Sequence, residues 1–131
     1  MPEIQAYLEK ARQALHEARA VLAIGLMEAA GRAAYLAAYH AAQAFILDRT
    51  GKVAKTHSGV RSEFARLAKE EPQIDRSFLS FLAQAYTLKE IADYETGPGA
   101  VVPAERAAAA IETAERFLDC IAAVTAKTNP D

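Results

Sequence analysis

Alanine constrains this chain more than any other feature, supplying 31 of its 131 residues against six glycines and five prolines. Alanine loses no side-chain entropy on entering a helix and so has the highest helix propensity, while glycine and proline interrupt. So many helix formers with so few breakers make long helices the default and exclude an all-β domain. Apolar residues make up 52% and charged residues 24%, the balance of a globular chain rather than a disordered one. The length suits one domain. We place it at residues 1–126 and expect 127–131 to be a frayed tail. The net charge of −2 argues against a generally basic coat for nucleic acid.

The breakers divide the sequence into an all-α pattern of four long helices and one short one. The first is expected from Glu3 to Ile24, with Ile4, Leu8, Ala11, Leu15, Ala18 and Leu22 on one face. Gly25 closes it. The second spans Met27 to Thr50 and is small or apolar around much of its circumference, which implies burial at the centre of the fold or in an oligomer. After a polar loop, Thr56 or Ser58 caps a short helix to Lys69, with Val60, Phe64 and Leu67 inward. Asp75 is the expected N-cap of the fourth helix, which passes through Phe78, Phe81, Leu82, Ala85, Leu88 and Ala92. Thr96-Gly97-Pro98-Gly99 is a stop, and Pro103 fits the first turn of a fifth helix reaching Ala126. Short loops favour antiparallel neighbours, hence an up-and-down bundle.

No apolar run approaches the roughly 18 uncharged positions of a membrane span. Met1-Pro2-Glu3-Ile4 lacks the basic start and apolar run of a signal peptide. The one cysteine, Cys120, allows no intrachain disulfide and reads as an inert core thiol among Phe117, Leu118, Ile121 and Val124. The expected location is the cytoplasm, away from any membrane.

Three segments carry polar groups that could do chemistry. Arg32, Tyr35 and Tyr39 recur at helical spacing and offer a guanidinium and two phenols from one face, either to an anion or simply to packing partners. His40 lies on another face among alanines, as a ligand or as a hydrogen-bonded core residue. From Arg49 to Arg61 there are four Lys or Arg and no acid, beside a helix start with the Thr56 and Ser58 hydroxyls and His57. That suits a phosphate, and equally a solvated loop. Gly51-Lys52 lacks the glycine spacing and following hydroxyl of a P-loop. In the third segment, Asp93 and Glu95 fall where a helix ends and its dipole disfavours anions, and Lys89 precedes Asp93 in the weaker orientation for an ion pair. Such broken rules point to a site or to pairing with Arg32 or the basic segment. His16, His40 and His57 do not have metal-ligand spacing, so no metal or cofactor is expected.

Taken in order, Gly31-Arg32-Ala33-Ala34-Tyr35 through His40-Ala41-Ala42, then Thr56-His57-Ser58-Gly59-Val60-Arg61 with Phe64, then Ala92-Asp93-Tyr94-Glu95, resemble the HEPN superfamily in its stand-alone prokaryotic branch. The resemblance covers roughly residues 8–95, with the last helix alike only in pattern. It implies a helical bundle, a homodimer, and a role with RNA or a nucleotide beside a minimal nucleotidyltransferase in toxin–antitoxin or defence modules. Active members are metal-independent endoribonucleases carrying an Arg followed after four to six residues by His. Here three residues separate Arg12 from His16, and seven separate Arg32 from His40 and Arg49 from His57. Lys89 also stands where relatives have Arg. The expectation is therefore a binding module rather than an enzyme. Arg32, Arg61 and Lys89 would meet phosphate, Tyr35, Tyr39 and Tyr94 would stack or donate hydrogen bonds, and His57 and Asp93 would complete the site. The alternatives are a divergent ribonuclease toxin with His40 or His57 as base and Lys89 as cation, and a purely structural helical adaptor.

Overall fold

The computed structural model describes residues 2–128 as five α-helices with no strand among them. In chain order these are α1 (Pro2–Ala23), α2 (Met27–Thr50), α3 (His57–Ala68), α4 (Ser77–Tyr94) and α5 (Ala104–Thr128), with a 3-10 turn at Gly97–Ala100. The four long helices and the short α3 pack as a bundle. The last helix runs two residues past the expected Ala126, and the remainder of the anticipated tail lies outside the described residues.

Local chemistry sets the ends. Gly51 takes the left-handed conformation at φ +74° and returns its N–H to the Leu47 carbonyl at 2.8 Å, closing α2 where a side chain would strain. Of the two candidate caps for α3, Thr56 is used, its Oγ1 accepting from the Gly59 N–H at 2.9 Å. Asp75 caps from two residues before α4, accepting from the Ser77 N–H at 2.8 Å and the Ser77 hydroxyl at 2.7 Å. Pro103 sits just ahead of α5 instead of inside its first turn, and its carbonyl accepts from Arg106 and Ala107. Glu95 likewise falls one residue beyond α4, in extended backbone.

The alanine-rich α2 is the hub, packed against each of the other four helices. Fifteen of its 24 residues are buried, and small side chains let the other helices approach closely. Of the two settings that its apolar circumference allowed, the centre of the protomer is the one that consumes its alanine face. Around it, Ile4, Leu8, Ala11, Leu15 and Ala18 of α1 and Ala107, Ile111, Ala114, Leu118 and Ile121 of α5 are buried as their spacing predicts. In α3, Val60 and Phe64 are buried, with Ala68 in the place expected for the only partly covered Leu67. Phe117 is fully buried against Phe64, Phe78 and Phe81, tying α3, α4 and α5 together. Cys120 is at the margin of this core, half-buried, its thiol donating to the Gln73 carbonyl at 3.5 Å, and burial pushes its pKa up.

One close approach sets the α2–α4 crossing. A Cβ at Gly31 would stand 3.3 Å from the Leu88 Cβ, so the missing side chain is what lets α4 lie close to α2. The neighbouring pair, Arg32 and Asp93, is thereby brought within bonding reach. Gly31→Val should overpack this crossing and lower stability by about 1–3 kcal/mol, measured as a shift in the urea midpoint at unchanged slope.

Candidate functional site

Three helices each direct one row of polar side chains at a common crevice. The rows are Arg32, Tyr35, Tyr39 and Gln43 on α2, His57 and Arg61 on α3, and Tyr86, Lys89 and Asp93 on α4. Each row follows the spacing of residues that share a helical face.

The α2 row grips the chain entering α3. The Tyr35 hydroxyl lies 2.7 Å from His57 Nδ1. The Tyr39 hydroxyl donates to the Lys55 carbonyl at 2.8 Å, and Gln43 Nε2 donates to the Ala54 carbonyl at 2.8 Å. Successive rungs four residues apart on α2 thus hold positions 57, 55 and 54, with the loop running opposite to the helix. His40 steadies the last rung. Because Gln43 gives its amide N–H to Ala54, its Oε1 faces His40 Nδ1 at 2.8 Å, and the proton must be on that nitrogen.

Above the ladder lies an aromatic nest. The His57 ring is 5.5 Å from Tyr35, 4.6 Å from Tyr39 and 5.5 Å from Tyr86 between centroids. Arg61 lies over the Tyr86 ring at 4.1 Å and faces the Tyr35 hydroxyl. Its Nη1 is buried with no hydrogen-bond acceptor. A guanidinium nitrogen left in that state is costly, which makes it informative.

Asp93 ties the remaining cations together. Its two oxygens accept from Lys89 Nζ at 2.8 Å and Arg32 Nε at 2.9 Å. The Lys89 side chain is only 9% exposed, and its ammonium also lies 5.2 Å from the Tyr94 ring. This partner explains the two broken rules at the end of α4: the carboxylate there serves a nearly buried lysine and an inter-helix pair, offsetting the unfavourable dipole. The Lys89 hydrogen bond, reinforced by Arg32, holds the Asp93 carboxyl below the usual carboxylate range, and Asp93 holds Lys89 above its ordinary value. Two cations thus share one carboxylate. Burial, then Lys89, Arg61 and Arg32, push the His57 pKa down, opposed by Asp93.

The structure therefore brings together Arg32, Tyr35, Tyr39, His57, Arg61, Lys89, Asp93 and Tyr94, but in unequal roles. Tyr35 and Tyr39 are interior and their hydroxyls are engaged, so they shape the crevice rather than line its mouth. Tyr94 is 71% exposed at the rim. His40 turns toward Gln43 and is not part of the cationic cluster. The basic stretch 49–61 does not act as a unit: Arg49 pairs with Asp48 and Glu71 at 3.2 and 3.1 Å, and only Arg61 reaches the crevice. Thr56 spends its hydroxyl on capping. Sequence reasoning missed Gln43 and Tyr86. Gln43 stands four residues after Tyr39 in an otherwise apolar run, and Tyr86 stands three before Lys89; both periodicities were available as signals. Among the described residues no group of three His, Cys, Asp or Glu side chains could hold a metal ion, and no helix is long and apolar enough to cross a membrane.

Fold and site define a small all-helical domain with a cationic and phenolic crevice between its second, third and fourth helices. The chain belongs to the HEPN domain family, which it matches over residues 4–124. It is 32% identical over 119 residues to the Methanocaldococcus jannaschii protein named "Putative toxin MJ0605", covering 91% of this chain and 86% of that one. It also superposes on the crystal structure of TT1696 from Thermus thermophilus with a TM-score of 0.77 and 26% identity, covering 92% of this chain and 97% of the other.

The depressed Asp93 value fixes a sign. A carboxyl with a lowered folded-state pKa contributes stability above its unfolded pKa, and that contribution is lost as pH falls through the folded value. Urea unfolding of wild type and Asp93→Asn should differ at about pH 7, and the gap should begin to narrow as pH falls below about 4.

Proposed function

We propose that this protein is a nucleotide- or RNA-binding module of a toxin–antitoxin or defence system, working beside a minimal nucleotidyltransferase. The observation that carries the reading is the gathering of Arg32, Arg61 and Lys89 around His57, with Asp93 set between Arg32 and Lys89. Fixed cations on a rigid helical frame in a partly desolvated crevice suit a phosphate group. Arg32 is the accessible cation, with its side chain 44% exposed, and with Glu28 and Asp93 it borders a cleft of about 460 Å³ between the start of α2 and the end of α4. The exposed Tyr94 ring, 5.2 Å from the Lys89 ammonium, offers a face on which a base can stack. The family match and the toxin named among the relatives support the biological setting. The nucleotidyltransferase and the homodimer rest on the family resemblance, and the exposed Ile24 and Leu26 at the α1–α2 turn supply apolar surface for such an assembly.

A ribonuclease is the second reading, favoured by one observation: His57 is an imidazole kept largely neutral beside three cations. One experiment separates the readings. Fluorescence anisotropy with labelled single-stranded RNA and with nucleotides should show salt-dependent binding. The Arg32→Ala, Arg61→Ala double variant should bind at least about tenfold more weakly. Its salt dependence should flatten by about 1.4 units in log–log slope for two lost phosphate contacts. Equal affinity of variant and wild type, in a variant that melts like the parent, overturns the phosphate site. RNA cleavage that survives chelator and vanishes in His57→Ala replaces the module with the enzyme, and no ligand at any salt concentration leaves a structural adaptor.

A further inference from the structure

His57 has two ring nitrogens, and the surrounding hydrogen bonds decide between them. Nδ1 is 2.7 Å from the Tyr35 hydroxyl, so a single proton lies between the two atoms, given by one or the other. Tyr35 is fully buried, so its hydroxyl proton must go to a neighbouring acceptor within the protein. The other group facing that oxygen is the Arg61 guanidinium, which has donors and no lone pair to offer. The Tyr39 hydroxyl donates to the Lys55 carbonyl, and neither it nor the Tyr86 hydroxyl is hydrogen-bonded to Tyr35 among the described residues. Only His57 Nδ1 remains to take the phenol proton. An imidazole accepting at Nδ1 carries its own proton on Nε2 when neutral. That nitrogen has no protein partner among the described residues, and the residue is partly exposed.

We infer that Arg61 and Tyr35 form a tautomer lock on His57, so that the crevice presents a neutral Nε2–H donor to its ligand and reads an acceptor, a phosphoryl oxygen, rather than abstracting a proton. The inference rests on the proposed function only for the identity of that acceptor; the lock itself is a property of the free protein. Arg61 and Tyr35 act here through His57 and are positioning residues. The groups facing the imidazole agree with it. Arg32 from α2, Arg61 from α3 and Lys89 from α4 all disfavour a protonated ring, while Asp93 alone favours one. A donor into Nδ1 stabilises the neutral form further. The buried, acceptor-less Nη1 of Arg61 also gains a reason: its charge orients the Tyr35 dipole instead of filling a salt bridge.

Two-bond nitrogen–proton correlation spectra of the uniformly nitrogen-15-labelled full chain, without ligand, test the lock directly. Wild type should show His57 with a pyridine-like Nδ1 and a pyrrole-like Nε2. Tyr35→Phe removes the donor while keeping the ring, and Arg61→Gln keeps an amide donor while removing the charge. Each should convert the single tautomer into a mixture and raise the His57 pKa, with Tyr35→Phe the larger change. Adding inorganic phosphate should shift the wild-type Nε2 resonance and leave Nδ1 nearly still. A proton found on Nδ1 in wild type overturns the lock, as does a tautomer unchanged in both variants. If Tyr35→Phe fails to fold, Arg61→Gln decides the matter by the same criterion. A confirmed lock with no response to phosphate preserves this inference and removes the phosphate reading, so the two fail separately.

Discussion

The burial of most of α2 among its four neighbours governs the rest of the structure. A helix enclosed by four others can carry polar side chains only where other elements meet their hydrogen-bonding needs. Tyr35, Tyr39 and Gln43 are such groups, and they are met by the imidazole of His57 and by two loop carbonyls. The requirement works in both directions. The same bonds that satisfy the hub helix fix the path of the loop into α3, and with it the position of His57. The crevice is therefore a consequence of how the core is closed, not an ornament added to a finished bundle.

Charge follows the same logic at the α2–α4 crossing. Lys89 is nearly buried, and an ammonium there persists only with a partner. Asp93 provides it and at the same time reaches Arg32 across the crossing that Gly31 allows. Because one carboxylate is shared between two cations, and Arg61 has none, the cluster stays net positive inside a chain that is net negative. Local charge, not total charge, sets what such a surface attracts.

Within the HEPN family this arrangement shifts attention away from the Arg-to-His spacing of the ribonuclease pattern, from which the chain departs. None of its Arg–His pairs has that spacing, yet an arginine, a lysine and a histidine from three different helices still meet. His57 and Arg61 share a face of α3, with Tyr35, which faces both, supplied by α2. The chemical character of the imidazole then depends on that tyrosine as much as on the cations around it.

Periodicity was enough to specify the helices, their inward faces and most of their ends, because alanine content, breakers and caps act over a few residues. It marked Arg32, Tyr35 and Tyr39 as one face and flagged Asp93 as an anion in the wrong place. It could not say that α2 is enclosed within a single protomer, since an apolar circumference fits a core and an interface equally well. Nor could it divide the basic stretch 49–61, where Arg49 turns to Glu71 and Arg61 to Tyr86. Those choices, and the admission of Gln43 and Tyr86 to the site, belong to the tertiary structure alone. Spacing along one helix determines which side chains share a face, but which face another helix offers in return is set by packing between segments far apart in the chain.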